Sequence, residues 1–237
     1  MLQEIVTFTD SAAGLEKSLR LFQSLCTIAV GLSTTAEDLA LWVKLRAQFA
    51  LGRRYFRLLK WHPCWSAAST ALHGQGAPLK TALEVSKWGF LGMYFFLEMF
   101  TISNALGATS FEWGPKVQME ANRCWFFALV ASILVSGYEV LLFWAQASGN
   151  GVVDEQTNGY AKAKGSKAAA TEGKTTSPGL GKVYQQLVID GCDIFIPGAA
   201  VGWIPVGPLV VGIASTISTT VAGAQIWQRV QQKAKQE

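Results

Sequence analysis

The C-terminal part of the chain contains the strongest constraint on its fold, a stretch of 35 residues without a formal charge, from Ile194 to Gln228. Prolines interrupt the first half of this stretch, the last of them at Pro208, and a basic segment follows it. A helix that crosses a bilayer needs roughly 20 predominantly apolar residues. Residues 206–227 therefore predict a transmembrane helix.

A second apolar run lies in the middle of the chain. No charged residue occurs from Cys124 to Tyr138, and the run continues to Ala145 with Glu139 as the one carboxyl group inside it. Charged residues make up 15% of the 237 residues, against roughly 25% in soluble domains. Because no alternating apolar and polar run of strand type occurs, we expect an all-α integral membrane protein.

Composition divides the chain into four regions. Residues 1–79 predict amphipathic helices, one from Asp10 to Leu32 and a membrane-surface helix over 38–61. Residues 80–145 predict hydrophobic helices, with a span at 124–145. The Gly-, Lys-, Ser- and Thr-rich segment 146–182 predicts a flexible linker, and residues 183–237 predict hydrophobic helices with a span at 206–227 and a basic tail.

The helix over 38–61 has two distinct faces. Residues 39–83 contain seven basic residues and no acidic one. At about 100° per residue, the basic side chains fall within one arc and the apolar side chains within an adjoining one. The basic face consists of Arg46, Arg53, Arg54, Arg57 and Lys60, and the apolar face of Leu41, Trp42, Leu45, Phe49, Phe56 and Leu59.

Such a helix suits the surface of an anionic membrane, with its apolar face immersed in the acyl chains. Each basic side chain near the surface contributes about 1 kcal/mol. Insertion into one leaflet expands that leaflet and favours curvature, so the sequence predicts a membrane-shaping role. The competing interpretation is a bundle helix whose basic face is solvated.

Three blocks of the sequence resemble one family. The opening Phe8–Arg20 is similar to a short helix of the pattern Ala-Gly-x-x-Lys-x-x-Arg, and Leu45–Lys60 resembles an amphipathic helix ending in Arg-x-x-Arg-Leu-x-Lys. The segment from Leu187 through Ile196-Pro197 to Trp227 matches more loosely. The chain resembles the peroxin eleven family of peroxisomal membrane elongation proteins, of the fungal type.

This resemblance implies an integral protein of the peroxisomal membrane, with both termini in the cytosol, that elongates the organelle before fission and promotes its proliferation. It implies self-association into a homo-oligomer, and partners among fission adaptors and a dynamin-related GTPase. The membrane-deforming role would fall on the helix that contains Arg53, Arg54, Arg57 and Lys60. We expect an anionic phospholipid membrane, and no nucleic acid, as the binding surface.

The number of spans stays open between two and four. Spans at 124–145 and 206–227 alone would place the linker opposite the termini, despite its five lysines. Additional spans at 85–106 and 187–203 would return the linker to the cytosolic side, where lysines are favoured.

Isolated carboxyl groups give an alternative function. Glu98, Glu139, Asp190 and Asp193 lie in or beside apolar stretches and could line the path of a channel or carrier for small metabolites. Glu98 and Glu139 could instead pair with Lys87 or Arg123, or lie at the membrane surface. For Asp190 and Asp193 we favour an interfacial pair that marks where a helix leaves the headgroups.

Two further patterns complete the sequence predictions. Gly198 and Gly202 form a small-x-x-x-small element that would suit helix packing, with local flexibility as an equal alternative. His62, Cys64 and His73 lack a fourth metal ligand nearby, and no nucleophile–base pair is evident. We therefore expect no enzyme, no metal and no cofactor.

Overall fold

A computed structural model of the chain describes residues 2–74, 76–149 and 179–234, which form ten helices and no strand. The predicted all-α class is confirmed. Residues 150–178 of the predicted linker lie outside the described residues. The helices are α1 (Leu2–Asp10), α2 (Ala12–Leu32), α3 (Ala36–Tyr55), α4 (Trp61–His73), α5 (Pro78–Phe100), α6 (Ile102–Ala105), α7 (Gly114–Gly149), α8 (Leu180–Asp193), α9 (Phe195–Val201) and α10 (Pro208–Ala234).

Side-chain caps define where the N-terminal helices begin. The Ser11 hydroxyl accepts a hydrogen bond from the Gly14 N–H at 3.0 Å, which begins α2. The Thr35 hydroxyl accepts one from the Asp38 N–H at 3.1 Å and begins α3. Each cap satisfies an N–H that has no acceptor within its helix.

The helix predicted over 38–61 is two helices in the structure. α3 ends at Tyr55, residues 56–60 form turns, and α4 begins at Trp61. The predicted helix end at residue 61 is therefore wrong, because Trp61 begins a helix that continues to His73. Pro63 lies in the first turn of α4, where its missing N–H removes no intrahelical hydrogen bond.

The chain runs the length of the bundle six times, as α1–α2, α3–α4, α5, α7, α8–α9 and α10. Contacts show that consecutive runs alternate in direction. α2 is antiparallel to α10. The Thr216 hydroxyl donates to the Ser24 hydroxyl at 3.1 Å, whereas the later Trp227 packs against the earlier Phe8, with ring centroids 5.4 Å apart. α3 is antiparallel to α2, and α4 to α5, through Arg53–Glu16 and Trp61–Phe96.

The α8–α9 run fixes the relative direction of the two most apolar helices. It is antiparallel to α7, because Asp190 contacts Ser132 while Trp203 packs on Phe126 nearer the start of α7. It is also antiparallel to α10, with Gln185 bonded to Gln225. α7 and α10 therefore run in the same direction.

This arrangement gives the bundle two distinct ends. We call the end that holds Leu2, Gly149, Gly179 and Ala234 the terminal end; the α4–α5 connection lies there too. The loop end holds the connections 33–35, 101–113 and 202–207. Both attachment points of the 150–178 segment therefore lie at the same end as both described termini.

Small residues bring α2 and α10 close together. A Cβ atom on Gly212 would lie 2.7 Å from the Ile28 nitrogen, and one on Gly31 would lie 2.7 Å from the Leu209 nitrogen. Ser24 and Ser218 are buried along the same contact. Small residues that allow helix backbones to approach closely are typical of membrane helix pairs.

The region predicted as a fourth span, 187–203, is interrupted. Pro197 has no N–H to donate to the Asp193 carbonyl, and a turn at Ile194 separates α8 from α9. Gly202 ends α9 with φ of +83°, and a Cβ on Gly198 would lie 2.5 Å from Ile204 Cδ1. The prediction of Gly198 and Gly202 as a helix-packing pair is wrong, because Gly202 terminates the helix and Gly198 accommodates the following turn.

Two described helices are long and apolar enough to cross a membrane, by length and composition. They are Gly114–Ala145 and Pro208–Gln232, and only 33% and 28% of their most apolar stretches are buried in the bundle. The first includes the predicted span at 124–145, and the second overlaps the predicted span at 206–227. Most of their apolar surface therefore faces outward.

Candidate functional site

Polar side chains fill the centre of the bundle, and apolar side chains cover much of its outside. α2 shows the pattern clearly: Glu16 and Arg20 are 4% and 6% exposed, while Phe22 is 52% exposed. Soluble proteins almost never bury charged residues fully unless these are paired. The exterior is therefore suited to an apolar solvent, and the charged interior must be internally neutralised.

Arg53 joins α3 to α2 in the buried interior. Its Nε donates to Glu16 Oε1 at 3.0 Å, and its Nη1 donates to Gln23 Oε1 at 2.6 Å. Arg53 is 8% exposed, and Phe49 stacks on Phe22 one turn away. These contacts hold α3 against α2 along the bundle.

Arg57 and Arg54 join the α3–α4 region to α5 through one carboxylate. Glu98 Oε1 accepts from Arg57 Nη2 at 3.1 Å and from the Tyr94 hydroxyl at 2.9 Å. Arg54 Nε lies 3.6 Å from the same oxygen. Arg57 Nη1 also donates to the Tyr94 hydroxyl at 3.1 Å.

The predicted basic face is consequently not one exposed surface. Arg53 and Arg57 are buried, Arg46 and Arg54 are half-buried, and of the five only Lys60 is exposed. The placement predicted for Arg53 and Arg57 is corrected, because Glu16 and Glu98 neutralise them inside the bundle. The sequence analysis paired neither arginine with these carboxylates.

The predicted apolar face, in contrast, remains accessible. Leu41, Phe56 and Leu59 are 51%, 38% and 65% exposed. Trp42, Leu45 and Phe49 are half-buried. An exposed apolar surface therefore persists on α3 and on the turns that follow it.

Asp190 and Asp193 contact different partners within the bundle. Asp190 accepts from Ser132 Oγ at 2.6 Å and from Gln186 Nε2 at 2.8 Å, whereas Asp193 forms an ion pair with Arg20. Both residues are buried. The interpretation of the two residues as an interfacial pair is wrong, because each is enclosed by neighbouring helices.

Glu139 lies near the terminal end and pairs with Lys80 at 2.8 Å. Neither Glu139 nor Glu98 has the partner proposed from sequence: Arg123 binds Glu120 instead. The four predicted pore-lining carboxyl groups thus belong to separate contacts.

A cavity of about 550 Å³ lies between the helices, toward the loop end. Arg46, Arg53, Arg54, Arg57 and Glu98 line one side of it. Glu98 is the one member of the predicted carboxyl set in this lining. No sequence pattern predicted this cavity, although the four arginines within residues 46–57 are a local excess of positive charge.

Comparison with known proteins identifies the family. The sequence profile described as "Peroxisomal biogenesis factor 11 (PEX11)" matches residues 2–227. The chain belongs to the PEX11 family. It is 25% identical over 235 residues to "Peroxisomal membrane protein PMP27" of Saccharomyces cerevisiae, covering 94% of this chain and 93% of that protein. No solved structure matches the chain.

PEX11 membership confirms the family predicted from the three sequence blocks. It supports a role in peroxisome proliferation and division at the peroxisomal membrane. The PEX11 family comprises peroxisome biogenesis factors and is not a known family of enzymes. Membership also implies association with the membrane and, in general terms, with the division machinery.

Proposed function

We propose that the protein elongates the peroxisomal membrane by embedding the outward apolar surface of its helices, with α3 and the turns after it supplying the part that expands the bilayer. The observation that carries this proposal is the reversed polarity of α3. Arg53 of α3 and Arg57 of the following turns point inward to carboxylates, while Leu41, Phe56 and Leu59 stay on the outside. A leaflet that receives this surface gains area, which favours curvature.

The basic residues then have two roles. Arg53 and Arg57 fasten α3 and its following turns to α2 and α5, so they act on the bundle. Lys44 and Lys60, which are both exposed, remain available to the headgroups of anionic phospholipids. Fewer basic side chains therefore contact lipid than the sequence predicts.

We propose that at least four runs cross the membrane, α5, α7, α8–α9 and α10; α1–α2 and α3–α4 lie beside them over the same depth, so the connection 33–35 reaches the loop-end side as well. α7 and α10 run in the same direction, so they cannot be successive crossings of one chain. The 22 residues from Leu180 to Val201 provide the return between them, a length that fits a bilayer. α5 is antiparallel to α7, and its crossing makes the number of these membrane crossings even.

The distribution of basic residues orients this bundle. The loop-end connections 33–35, 101–113 and 202–207 contain no Lys or Arg. The terminal end is flanked by Lys80, Lys182 and Arg229, and the 150–178 segment adds four lysines. Because Lys and Arg are enriched in cytoplasmic loops, we place the terminal end, and both termini, in the cytosol.

The proposed partners follow from family membership and this orientation. The protein associates with further copies of itself, which aligns several bilayer-expanding surfaces along one tubule. Its cytosolic terminal end is the side available to fission adaptors and to a dynamin-related GTPase.

Replacing exposed leucines on α3 and the following turns tests the proposed function. In the double variant Leu41→Ser and Leu59→Ser, each change removes about 2 kcal/mol from the free energy of transferring an apolar side chain out of water. Neither change breaks a contact that holds the bundle. We expect peroxisomes to remain short in cells whose only copy is this variant, while the protein still reaches them. Microscopy of peroxisome length, with immunoblotting of isolated peroxisomes, measures both effects.

The exposed Gln48 on the same helix provides the control. Gln48→Ser removes little apolar area and should leave elongation intact. Normal elongation by the double leucine variant would contradict the proposed mechanism.

A further inference from the structure

The cavity of about 550 Å³ has an excess of positive charge. Four guanidinium groups line it, from Arg46, Arg53, Arg54 and Arg57, whereas Glu98 is its one lining carboxylate. Glu16 does not line the cavity but pairs with Arg53, so these arginines have two carboxylate partners in all. Two of the four positive charges are therefore not balanced by these partners.

The distribution of ion pairs shows where an anion is missing. Arg57 and Arg54 share a single oxygen of Glu98, at 3.1 and 3.6 Å. Arg46 forms no ion pair with any residue that the structure describes. Partly buried charges are costly unless they are paired. An anion within the cavity would supply the missing pairing for Arg46 and Arg54.

Neutral polar groups extend the arginine side of the cavity. Gln118 and Asn122 of α7 line it, as do Gln23 and Ser24 of α2. Amide nitrogens and hydroxyl groups donate hydrogen bonds to an oxyanion. Guanidinium groups bind phosphate or carboxylate oxygens in pairs, with fixed geometry.

Another part of the cavity lining is apolar. It includes Ile196, Val206, Val211 and Trp125, from α9, the α9–α10 connection, α10 and α7. The volume lies within the range of about 300–1,000 Å³ that is typical of sites for small organic molecules. A ligand with an anionic group at one end and an apolar part at the other matches both parts of the lining.

We propose that this cavity binds a phosphate-bearing amphiphile, with Arg46 and Arg54 contacting the phosphate and the apolar part lying against α9 and α10. A membrane lipid with a phosphate monoester headgroup supplies this chemistry, and so does a soluble phosphate compound. The binding site is separate from the exposed face of α3, so its occupancy can be tested without reference to membrane elongation.

Binding is measured with the full-length chain, purified in a neutral detergent, by isothermal titration calorimetry. The probes are dioctanoyl phosphatidic acid, dioctanoyl phosphatidylcholine of the same chain length, and inorganic phosphate. We expect the phosphatidic acid to bind best, because it has both the exposed phosphate and the apolar part. A lost charge-assisted hydrogen bond weakens binding about tenfold or more, which is the effect expected for Arg54→Gln and for Arg46→Gln.

Two controls keep the result interpretable. Lys44→Gln removes an exposed charge from the same helix, and Arg123→Gln removes one from an exposed pair with Glu120; neither residue lines the cavity, and both variants should bind as the parent protein does. Arg46→Gln leaves no carboxylate unpaired, so it should fold normally even if Arg54→Gln does not. Thermal unfolding of each variant checks this point.

Each outcome decides the proposal. Selective binding of phosphatidic acid that both cavity variants weaken supports it. Equal affinity for inorganic phosphate overturns the amphiphile assignment. No binding, or binding that neither cavity variant changes, overturns the site. Normal binding by the Leu41→Ser and Leu59→Ser variant that fails to elongate peroxisomes would separate this cavity from the proposed function.

Discussion

Individual charged residues decide how α3 is attached to the rest of the molecule. Arg53, Arg57 and Arg20 each have a carboxylate partner on another helix: Glu16, Glu98 and Asp193. Taking these charges out of water has a high cost, which only close pairing and additional hydrogen bonds can offset. Hydroxyl and amide side chains such as Tyr94 and Gln23 supply those extra bonds.

Removing the Glu98 carboxylate should strongly destabilise the protein. In Glu98→Gln, Arg57 stays buried without its counter-ion, and Arg54 loses the same oxygen. Breaking a buried pair in this way costs about 3–5 kcal/mol. Unfolding of the purified protein in a denaturing-detergent titration, followed by circular dichroism, measures the loss.

The exposed pair between Arg123 and Glu120 is the matched control for Glu98. Their side chains are 44% and 56% exposed, so Glu120→Gln should change the stability by about 1 kcal/mol or less. A Glu98→Gln variant as stable as Glu120→Gln would show that the buried pairs do not hold the bundle together.

At the scale of elements, the long helices pair through close backbone contact as well as through charge. α2 and α10 meet at Gly31, Gly212 and a series of buried hydroxyl residues. Within a membrane, where apolar surface gains little by leaving lipid, such packing and interhelical hydrogen bonds provide the association energy. This interface holds the N-terminal helices against the apolar C-terminal helix.

A single methyl group should disturb this interface. In Gly212→Ala the new Cβ would lie 2.7 Å from the Ile28 nitrogen, so α2 must shift. Overpacking of this kind costs about 1–3 kcal/mol. We expect a lower midpoint in the same unfolding titration.

Gly223 serves as the control on the same helix, since a Cβ there meets nothing within 4 Å. Gly223→Ala should leave stability unchanged or raise it slightly, by about 1 kcal/mol or less, because alanine favours the helix. If the two glycine variants unfold alike, α2 and α10 do not pack as the structure shows.

At the scale of the whole molecule, the shared direction of α7 and α10 determines the topology. Two crossings by these helices alone would require them to be antiparallel. The intervening run α8–α9 removes the conflict, and it also brings Gly149 and Gly179 to the end where both described termini lie. In the proposed arrangement, both attachment points of the linker therefore lie on the same side of the membrane as the described termini.

Protease protection on intact peroxisomes tests this topology. Epitope tags are placed near residue 165, at 108–110 in the loop end, and at both termini. We expect protease to remove the linker tag and both terminal tags and to leave the loop-end tag intact. Detergent should make all four accessible.

Protection of the linker tag on intact organelles, with both terminal tags removed, would contradict the four-crossing arrangement. That result would match the alternative of two crossings at 124–145 and 206–227.

The helical class, the two most apolar helices and the family could be predicted from the sequence, because uncharged runs and local blocks of residues are recognised without knowing what they contact. The amphipathic residues of α3 could be located in the same way. Which face of α3 points inward could be seen only after the helices were packed, because a helical projection separates arginines from leucines but does not show whether a carboxylate on another helix lies nearby. Glu16 and Glu98 lie 37 and 41 residues from their arginines, and such distant charge neutralisation arises only when the helices pack.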